Sequence, residues 1–176
     1  MRWSAVKEYA PGELPVYESV LNVPGRASDL CEAVAQVWQS VLASDGEQGA
    51  AAVVIQQQLA PDIAGVLFTA NPTNACDETM VVEAVWGLGV GLEQGELVSA
   101  TALVHWRTQD VEIAPHEPQM RKVVPGGSGG LAWAPTTAEE QQASPLADSV
   151  LVRNLSAVGV DIARHFGEKK EIRKIT

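Results

Sequence analysis

The segment AAVVIQQQLAPDIAGVLFTANP, residues 51–72, is the feature that most constrains the fold. It consists of two apolar runs joined by a Pro-Asp turn, which predicts an antiparallel pair of strands over 50–59 and 63–70. Gly65 within the second run indicates that another group approaches the backbone closely. We therefore expect a sheet to be built around this pair.

Three consecutive glutamines, Gln56, Gln57 and Gln58, stand in the first run. Alternate residues of a strand share a face, so Gln56 and Gln58 are expected on one face with Val54, opposite Phe68 or its neighbours. An unpaired buried amide costs about 1–3 kcal/mol, so these groups need partners. Either they line an apolar slot for a flat heteroaromatic ring such as adenine, or they lie on an exposed sheet face. The strand pattern leaves both interpretations open.

Helical periodicity is found in two segments, one before and one after the predicted strands. It predicts one helix over 28–43 and another over 145–166, the second capped by Ser144 with Pro145 at its first position. The apolar stripe expected on the second helix comprises Leu146, Val150, Leu151, Leu155, Val158, Ile162 and Phe166. Further strands are expected over 16–23, 79–87, 97–106, 110–116 and 119–124, a turn of helix within 87–96, and a flexible loop over 125–137. Helices flanking mainly antiparallel strands indicate an α+β domain.

Composition limits the classes of function. The chain has 176 residues, of which 46% are hydrophobic, enough for one domain with its own core. The formal net charge of −10 argues against nucleic acid as a partner. Cys31 and Cys76 match no metal-binding spacing and are expected to be reduced thiols in a cytoplasmic protein. We find no apolar run that would place the chain in a membrane.

The order of motifs points to a family. The blocks VVIQQQL, AGVLFTANP, VWGLG and ARHFG follow RWSA (2–5) and LPVYESVLNV (14–23). This order resembles the nucleotide-binding domain of the phosphoenolpyruvate synthase, pyruvate phosphate dikinase and rifampin phosphotransferase family, over nearly the whole chain. The resemblance implies an ATP-grasp-like fold with a mainly antiparallel sheet and flanking helices. It also implies one partial domain over 1–176, ending in a divergent basic tail over 168–176.

The resemblance suggests phosphate contacts. Arg2 matches the family arginine that reaches the nucleotide phosphates, a role that suits the planar guanidinium. Ser19 matches a small hydroxyl residue beside the phosphates. The alternatives are a frayed terminal residue for Arg2 and an ordinary turn serine for Ser19.

The resemblance also suggests contacts with the adenine ring. Gln56 matches the adenine-side glutamine, and the backbone of Gln57, Gln58 and Leu59 matches the edge that hydrogen-bonds to adenine. Glu83 matches a residue on the strand that forms the floor of the site. The alternative is that it belongs to an ordinary strand that leads into a turn. The cofactor implied is ATP, bound weakly.

The chain also departs from the family pattern. Gln58 replaces a methionine, which makes one wall of the adenine slot polar, and Val90 replaces a carboxylate. Pro15 and Val16 replace the glycine and glutamine of a turn that covers the phosphates. In the tail, Arg173 stands at the place of a metal-binding glutamate and Glu171 at that of an aspartate. The resemblance implies that the family uses Mg²⁺ and that its ligands are not preserved here, because a cation such as Arg173 cannot replace an oxygen ligand.

Two functional expectations follow. The first is a partial ATP-binding domain of a phosphoenolpyruvate-utilising phosphotransferase, without independent catalysis, truncated at both ends and lacking the lysine-bearing lobe and the phosphohistidine domain. The alternative is a non-catalytic assembly module, or a subunit of a split phosphotransferase completed in trans. In either case we expect self-association or a companion subunit, because a partial domain exposes surface that its missing part would cover.

Overall fold

The computed structural model describes residues 2–5, 18–45, 51–73, 78–166 and 171–175. The chain divides into two compact units. The first comprises Met1–Leu59 and Pro125–Ala132, and the second comprises Ala60–Val124 and Trp133–Thr176.

The first unit is built on one long helix and a short strand pair. Its elements are β1 (Arg2–Ala5), α1 (Ala27–Asp45) and β2 (Ala51–Val54). β1 and β2 are antiparallel, with Arg2 opposite Val54 at one end of the ladder. The side chains that α1 buries are Ala33, Val37 and Val41, four residues apart, as expected of one helix face. The helix predicted over 28–43 is confirmed.

The second unit is built on a five-stranded antiparallel sheet. Its elements are β3 (Ile63–Phe68), β4 (Thr79–Trp86), α2 (Val90–Glu93), β5 (Ala100–His105), β6 (Val111–Ile113), α3 (Ala138–Gln142), α4 (Ser149–His165) and β9 (Glu171–Ile175). The strand order is β6-β5-β4-β3-β9. β7 (Arg121–Pro125) and β8 (Leu131–Pro135) form a separate two-stranded sheet, whose connecting loop belongs to the first unit.

The core of the second unit lies between this sheet and α4. Leu67, Met80 and Val104 from the strands are fully buried together with Val152 from the helix. Gly65 fulfils its prediction, because a β-carbon at this position would lie 2.3 Å from the backbone oxygen of Glu83 on β4. The expected mixture of helices and antiparallel strands is confirmed.

The predicted pairing of 50–59 with 63–70 is wrong. β2 pairs with β1, and its strand ends at Val54. β3 pairs with β4 on one edge and with β9 on the other, so neither edge remains for β2. Proximity in sequence favoured the hairpin, but the longer strand β4 offers β3 a ladder along its whole length.

The start of α4 also differs from the prediction. Asp148, rather than Ser144, is the N-cap, because its Oδ1 atom accepts hydrogen bonds from the backbone nitrogens of Val150 and Leu151, at 2.8 and 3.3 Å. Ser144 Oγ accepts from the backbone nitrogen of Leu146 instead, at 3.1 Å, in the turn before the helix. Ser144 and Pro145 therefore form the turn that precedes the helix and do not begin the helix itself.

Other parts of the chain are more ordered, or less regular, than predicted. The loop expected over 125–137 contains β8, and the tail contributes β9, although no element was predicted there. Residues 18–23 form no strand, and residues 16–17 of that prediction lie outside the described part of the chain. The turn of helix expected within 87–96 is confirmed as α2. Among the described residues, no helix is both long enough and apolar enough to cross a bilayer.

Candidate functional site

A cavity of about 360 Å³ lies within the first unit. We call it the glutamine pocket. Its lining residues come from the segment before α1, from α1 itself and from the segment after β2; they are Val20, Asn22, Val23, Leu30, Ile55, Gln56, Gln57 and Gln58. The three glutamines singled out in the sequence therefore line one pocket, with apolar side chains beside them.

The glutamines reach the pocket in a way that the strand pattern did not predict. The β1–β2 ladder ends where Arg2 pairs with Val54, so the glutamine segment lies outside any strand. Without strand alternation, all three side chains line the same pocket. Gln56 and Gln57 are exposed and Gln58 is half-buried. The expectation that Gln56 and Gln58 share a sheet face opposite Phe68 is therefore wrong.

The side-chain amide of Gln58 is oriented by the backbone of Asn22. Gln58 Oε1 accepts a hydrogen bond from the Asn22 nitrogen, at 2.5 Å. Gln58 Nε2 is buried and has no hydrogen-bond partner among the described residues. A buried donor without a partner costs about 1–3 kcal/mol, so an acceptor that met Nε2 would gain binding energy. The amide of Gln58 thus carries one acceptor that has a partner and one donor that has none among the described residues.

Asn22 ties the pocket wall to the glycine-rich loop between β7 and β8. Its Nδ2 atom donates to the backbone oxygens of Gly126 and Gly130, both at 2.8 Å. Its own oxygen accepts from the Gly130 nitrogen, at 3.1 Å. Asn22 has a φ of +52°, in the left-handed region that asparagine tolerates better than most residues. One residue therefore fixes both Gln58 and the loop.

The loop itself requires glycine. Gly129 has a φ of +110°, and a β-carbon there would lie 3.1 Å from Pro24. A β-carbon on Gly126 would lie 2.6 Å from the Gly129 oxygen. Gly126 donates to the Gly130 oxygen at 2.9 Å, which closes the turn. The segment predicted to be flexible is thus a turn held by hydrogen bonds.

An apolar groove adjoins the glutamine pocket. It also measures about 360 Å³, and its lining residues are Leu30, Cys31, Val34, Ala35, Trp38 and Ile55. Leu30 and Ile55 line both sites. Polar amides beside an apolar surface suit a flat ring that carries hydrogen-bonding groups on its edge.

The other predicted site residues are not among those that line the pocket, and only the backbone of Arg2 is described. Arg2 lies in β1, where its backbone pairs with that of Val54. Ser19 is exposed and immediately precedes Val20 of the pocket wall. Leu59 is exposed and does not line the pocket. Glu83 lies half-buried on β4 in the second unit, paired with β3 and β5.

Sequence reasoning missed Asn22 and its neighbours. The segment was interpreted as a strand, which would have required extended backbone at Asn22. The available signal was an asparagine just before the Pro24-Gly25 turn, since asparagine is enriched at positive φ. Pro15 and Val16, which depart from the family pattern, lie outside the described residues.

The side chains that line the pocket are not the ligands typical of a magnesium site. The polar residues that line it are one asparagine and three glutamines, whereas Mg²⁺ in proteins is held by carboxylates and phosphates. Within the described ranges, no group of three His, Cys, Asp or Glu side chains could hold a metal ion. Glu171 and Arg173 lie in β9, and only their backbone is described.

An ion pair fixes α3 in the second unit. Lys122 Nζ lies 2.5 Å from Glu140 Oε1, and Glu140 Oε2 accepts from the Thr137 nitrogen at 2.8 Å, completing a capping box. Burial acts to raise the pKa of Glu140, but the hydrogen bonds from Lys122 and Thr137 outweigh it and hold the pKa below the usual value. This carboxylate is therefore a structural group that favours its charged form.

Comparison with known proteins shows the family. Residues 12–173 match the family described as "Pyruvate phosphate dikinase, AMP/ATP-binding domain". The chain is 30% identical over 126 residues to a probable phosphoenolpyruvate synthase of Methanocaldococcus jannaschii, covering 70% of this chain and 10% of that protein. It is 26% identical over 168 residues to the rifampicin phosphotransferase of Bacillus subtilis, covering 88% of this chain and 19% of that protein.

Other relatives give the same result. A rifampicin phosphotransferase of Streptomyces sviceus is 30% identical over 166 residues, covering 88% of this chain and 19% of that protein. The chain thus spans between a tenth and a fifth of the length of these three relatives. The match over 12–173 includes the glutamine pocket, and it confirms the family that the motifs suggested. This chain therefore belongs to the AMP/ATP-binding domain family of pyruvate phosphate dikinase.

Proposed function

We propose that the glutamine pocket binds the adenine ring of AMP or ATP, and that the chain serves as a nucleotide-binding domain of a phosphoenolpyruvate-utilising phosphotransferase. The observation that carries this proposal is the convergence of Gln56, Gln57 and Gln58 on one cavity in a chain of an AMP/ATP-binding family. Gln56 is the residue that resembles the adenine-side glutamine of that family.

The chemistry of the wall suits a purine. Adenine presents ring nitrogens as acceptors and one exocyclic amine as a donor. Gln58 Oε1 accepts a hydrogen bond from Asn22, whereas its Nε2 donor has no partner among the described residues. A small rotation of Gln58 would direct this donor at a ring nitrogen, while Leu30 and Ile55 supply apolar contact. The wall should therefore favour ligands that present an acceptor to Gln58.

We further propose that binding is weak and nearly insensitive to Mg²⁺, and that the chain alone does not catalyse phosphoryl transfer. The described lining offers amides and apolar groups but no carboxylate, and phosphoryl transfer depends on a metal to offset the developing charge. Arg2 and Ser19 are proposed phosphate contacts, and Glu83 is proposed as part of the floor. The activities named for the relatives belong to proteins of which this chain covers 10% and 19%.

Calorimetric titration with AMP and ATP, with and without Mg²⁺, tests this proposal. We expect a Kd between about 0.1 and 1 mM that Mg²⁺ changes less than twofold. Gln58→Ala should weaken binding about five- to tenfold, as expected for the loss of one hydrogen bond in a pocket. Gln39→Ala is the matched control, because Gln39 is an exposed glutamine of α1 outside the lining.

Two results would contradict the proposal. One is the absence of detectable heat with 5 mM ATP, a concentration well above the expected Kd, which would show that the chain has no nucleotide site. Equal losses in Gln58→Ala and Gln39→Ala would place the site elsewhere. Tight binding that requires Mg²⁺ would leave the nucleotide assignment intact but contradict the proposal that binding is weak and nearly insensitive to Mg²⁺.

A second candidate function rests on the apolar groove. Trp38 and Ile55 are both exposed there, as expected of a surface that a companion subunit covers in a phosphotransferase completed in trans. Mixing the chain with a separately expressed polypeptide that carries the remaining domains should restore ATP-dependent phosphoryl transfer. Trp38→Ala should abolish that restoration but leave the affinity for ATP unchanged.

A further inference from the structure

Asn22 has a backbone conformation that is unusual for a residue other than glycine. Its φ of +52° lies in the left-handed region, which is unfavourable for residues that carry a β-carbon. Asparagine enters this region more readily than most residues, but it persists there only where the surrounding contacts hold it. The hydrogen bonds of Asn22 therefore maintain its conformation.

These hydrogen bonds come from two sides. On the side of the glutamine pocket, the Asn22 nitrogen donates to Gln58 Oε1 at 2.5 Å. On the side of the glycine-rich loop, Asn22 Nδ2 donates to the oxygens of Gly126 and Gly130, and the Asn22 oxygen accepts from the Gly130 nitrogen. Because one residue makes all four bonds, each side helps to hold the conformation that the other side requires.

The loop has turn hydrogen bonds of its own. The Gly126 oxygen accepts from the Gly129 nitrogen at 3.3 Å, and the Gly126 nitrogen donates to the Gly130 oxygen at 2.9 Å. Asn22 adds the connection between this turn and the pocket wall. Pro24 contributes to the same connection, since a β-carbon on Gly129 would lie 3.1 Å from its Cδ atom. A displacement of the loop would therefore disturb the segment that holds Gln58.

We propose that Asn22 is a positioning residue that couples the glycine-rich loop to the glutamine pocket, so that the loop raises the affinity for nucleotide although none of its residues lines the pocket. The inference rests on the proposed function, because it concerns regulation of the same site.

The coupling acts through the order of one side chain. With the loop in place, Asn22 stays in the left-handed region and its N–H holds the amide of Gln58 in one orientation. With the loop displaced, Asn22 returns to more favourable backbone conformations, and Gln58 must be ordered by the ligand itself, which opposes binding. Since coupling between two sites is reciprocal, a nucleotide in the pocket also holds the loop.

Two loop variants test the effect on affinity by calorimetry. Gly129→Ala is strained at a φ of +110° and contacts Pro24, so it should displace the loop and weaken AMP binding about fivefold. Gly127→Ala is the matched control, because nothing lies within 4 Å of its β-carbon position. This variant should bind AMP within about twofold of the wild-type affinity.

A double-mutant cycle distinguishes positioning from general support of the fold. If the loop acts through Gln58, then Gly129→Ala should change the affinity for AMP by less than about twofold in a Gln58→Ala background. If the loop only stabilises the first unit, the losses of the two variants should add.

Variants of Asn22 test its backbone conformation. Asn22→Ala and Asn22→Gly both remove the side-chain bonds to the loop, but only glycine adopts a positive φ without strain. Asn22→Gly should therefore bind AMP about threefold more tightly than Asn22→Ala. Circular dichroism of each variant confirms that it remains folded.

Amide exchange followed by NMR tests the coupling in the other direction and needs no nucleotide. Gln58→Ala removes the acceptor of the Asn22 nitrogen, so exchange of the Gly130 amide, which donates to the Asn22 oxygen, should become about threefold faster or more. Gln57→Ala is the matched control, because Gln57 lines the same pocket from an exposed position. This variant should leave the Gly130 amide as in the wild type.

Four results would overturn the proposal: equal affinity for AMP in Gly129→Ala and Gly127→Ala, additive losses in the cycle, Asn22→Ala binding as tightly as Asn22→Gly, and unchanged exchange at Gly130 in Gln58→Ala. A wild-type chain that binds no AMP would instead overturn the proposed function. In that case the exchange experiment would still decide whether Gln58 and the loop are coupled.

Discussion

The two units of the molecule differ in how their secondary structure is supported. In the second unit, strands of six and eight residues, β3, β4 and β5, form the centre of a sheet that packs on α4. In the first unit, the two strands β1 and β2 have four residues each and, among the described residues, pair only with one another. A lone two-stranded ladder is marginally stable in water, whereas a multistranded sheet with a covered face is stable. Extended structure is therefore well supported only in the second unit.

The candidate binding features lie in the first unit, where the extended structure is less well supported. The glutamine pocket, the apolar groove and the glycine-rich loop all belong to the first unit. The glycine-rich loop is held to the pocket wall by three hydrogen bonds of Asn22, two from its side chain and one to its backbone oxygen. The comparison suggests that one unit supplies stability and the other supplies adaptable contacts, as expected where ligand-binding segments come from the less stable parts of a fold.

We expect the largest loss of stability from truncating a buried side chain in the sheet of the second unit. Leu67→Ala in β3 removes a side chain with 0% exposure and should lower the free energy of unfolding by about 2–5 kcal/mol. Leu59→Ala in the first unit removes one with 60% exposure and should change it by less than about 0.5 kcal/mol. Urea denaturation followed by circular dichroism measures both variants. Similar losses in the two would contradict the division into a stabilising unit and a binding unit.

A smaller effect on stability is expected from Glu140, which also lies in the second unit. Because the pKa of Glu140 in the folded chain lies below that of unfolded glutamate, its carboxylate stabilises the fold at neutral pH. This contribution is fully present above the unfolded pKa and is lost as the pH falls through the lower, folded pKa. Glu140→Gln should cost about 1 kcal/mol at pH 7 and flatten the decline of stability in acid, because it removes the ion pair with Lys122, while the glutamine carbonyl oxygen can still accept from the Thr137 nitrogen.

The matched control for Glu140 is its neighbour. Glu139 is exposed on the same helix, so Glu139→Gln should change stability by less than about 0.5 kcal/mol and leave the acid decline as in the wild type. Thermal unfolding of both variants between pH 2 and pH 8 measures the difference. Parallel curves for wild type and Glu140→Gln would show that Lys122 and Thr137 do not stabilise the carboxylate.

Local patterns predicted individual elements well. The helix at 28–43 and the strand at 79–87 lie within a residue or two of Ala27–Asp45 and Thr79–Trp86, because period and capping are encoded nearby in the sequence. The partner of β2 was not predictable in this way, since β1 lies more than forty residues earlier. The partner β9 of β3 lies about a hundred residues later.

The candidate site was predicted in part. The glutamines were identified because consecutive amides in an apolar run require partners, and all three line the pocket. Their arrangement depends on where the ladder ends, which is fixed by the register of Arg2 with Val54. The buried face of α4 was not predicted, because periodicity gives the width of an apolar arc, whereas the close approach at Gly159 decides which part of it is buried.

Hydrogen exchange with and without saturating AMP tests the central claim most directly, namely that the sheet stabilises the molecule and the glutamine pocket binds the nucleotide. We expect the slowest amides to lie in β3, β4 and β5 in both states. In labelling of seconds to minutes, AMP should slow exchange at 20–23, 55–58 and 126–130, the segments that line the pocket or are tied to it through Asn22. Unchanged exchange in these three segments, or new protection confined to β3–β5, would contradict the account.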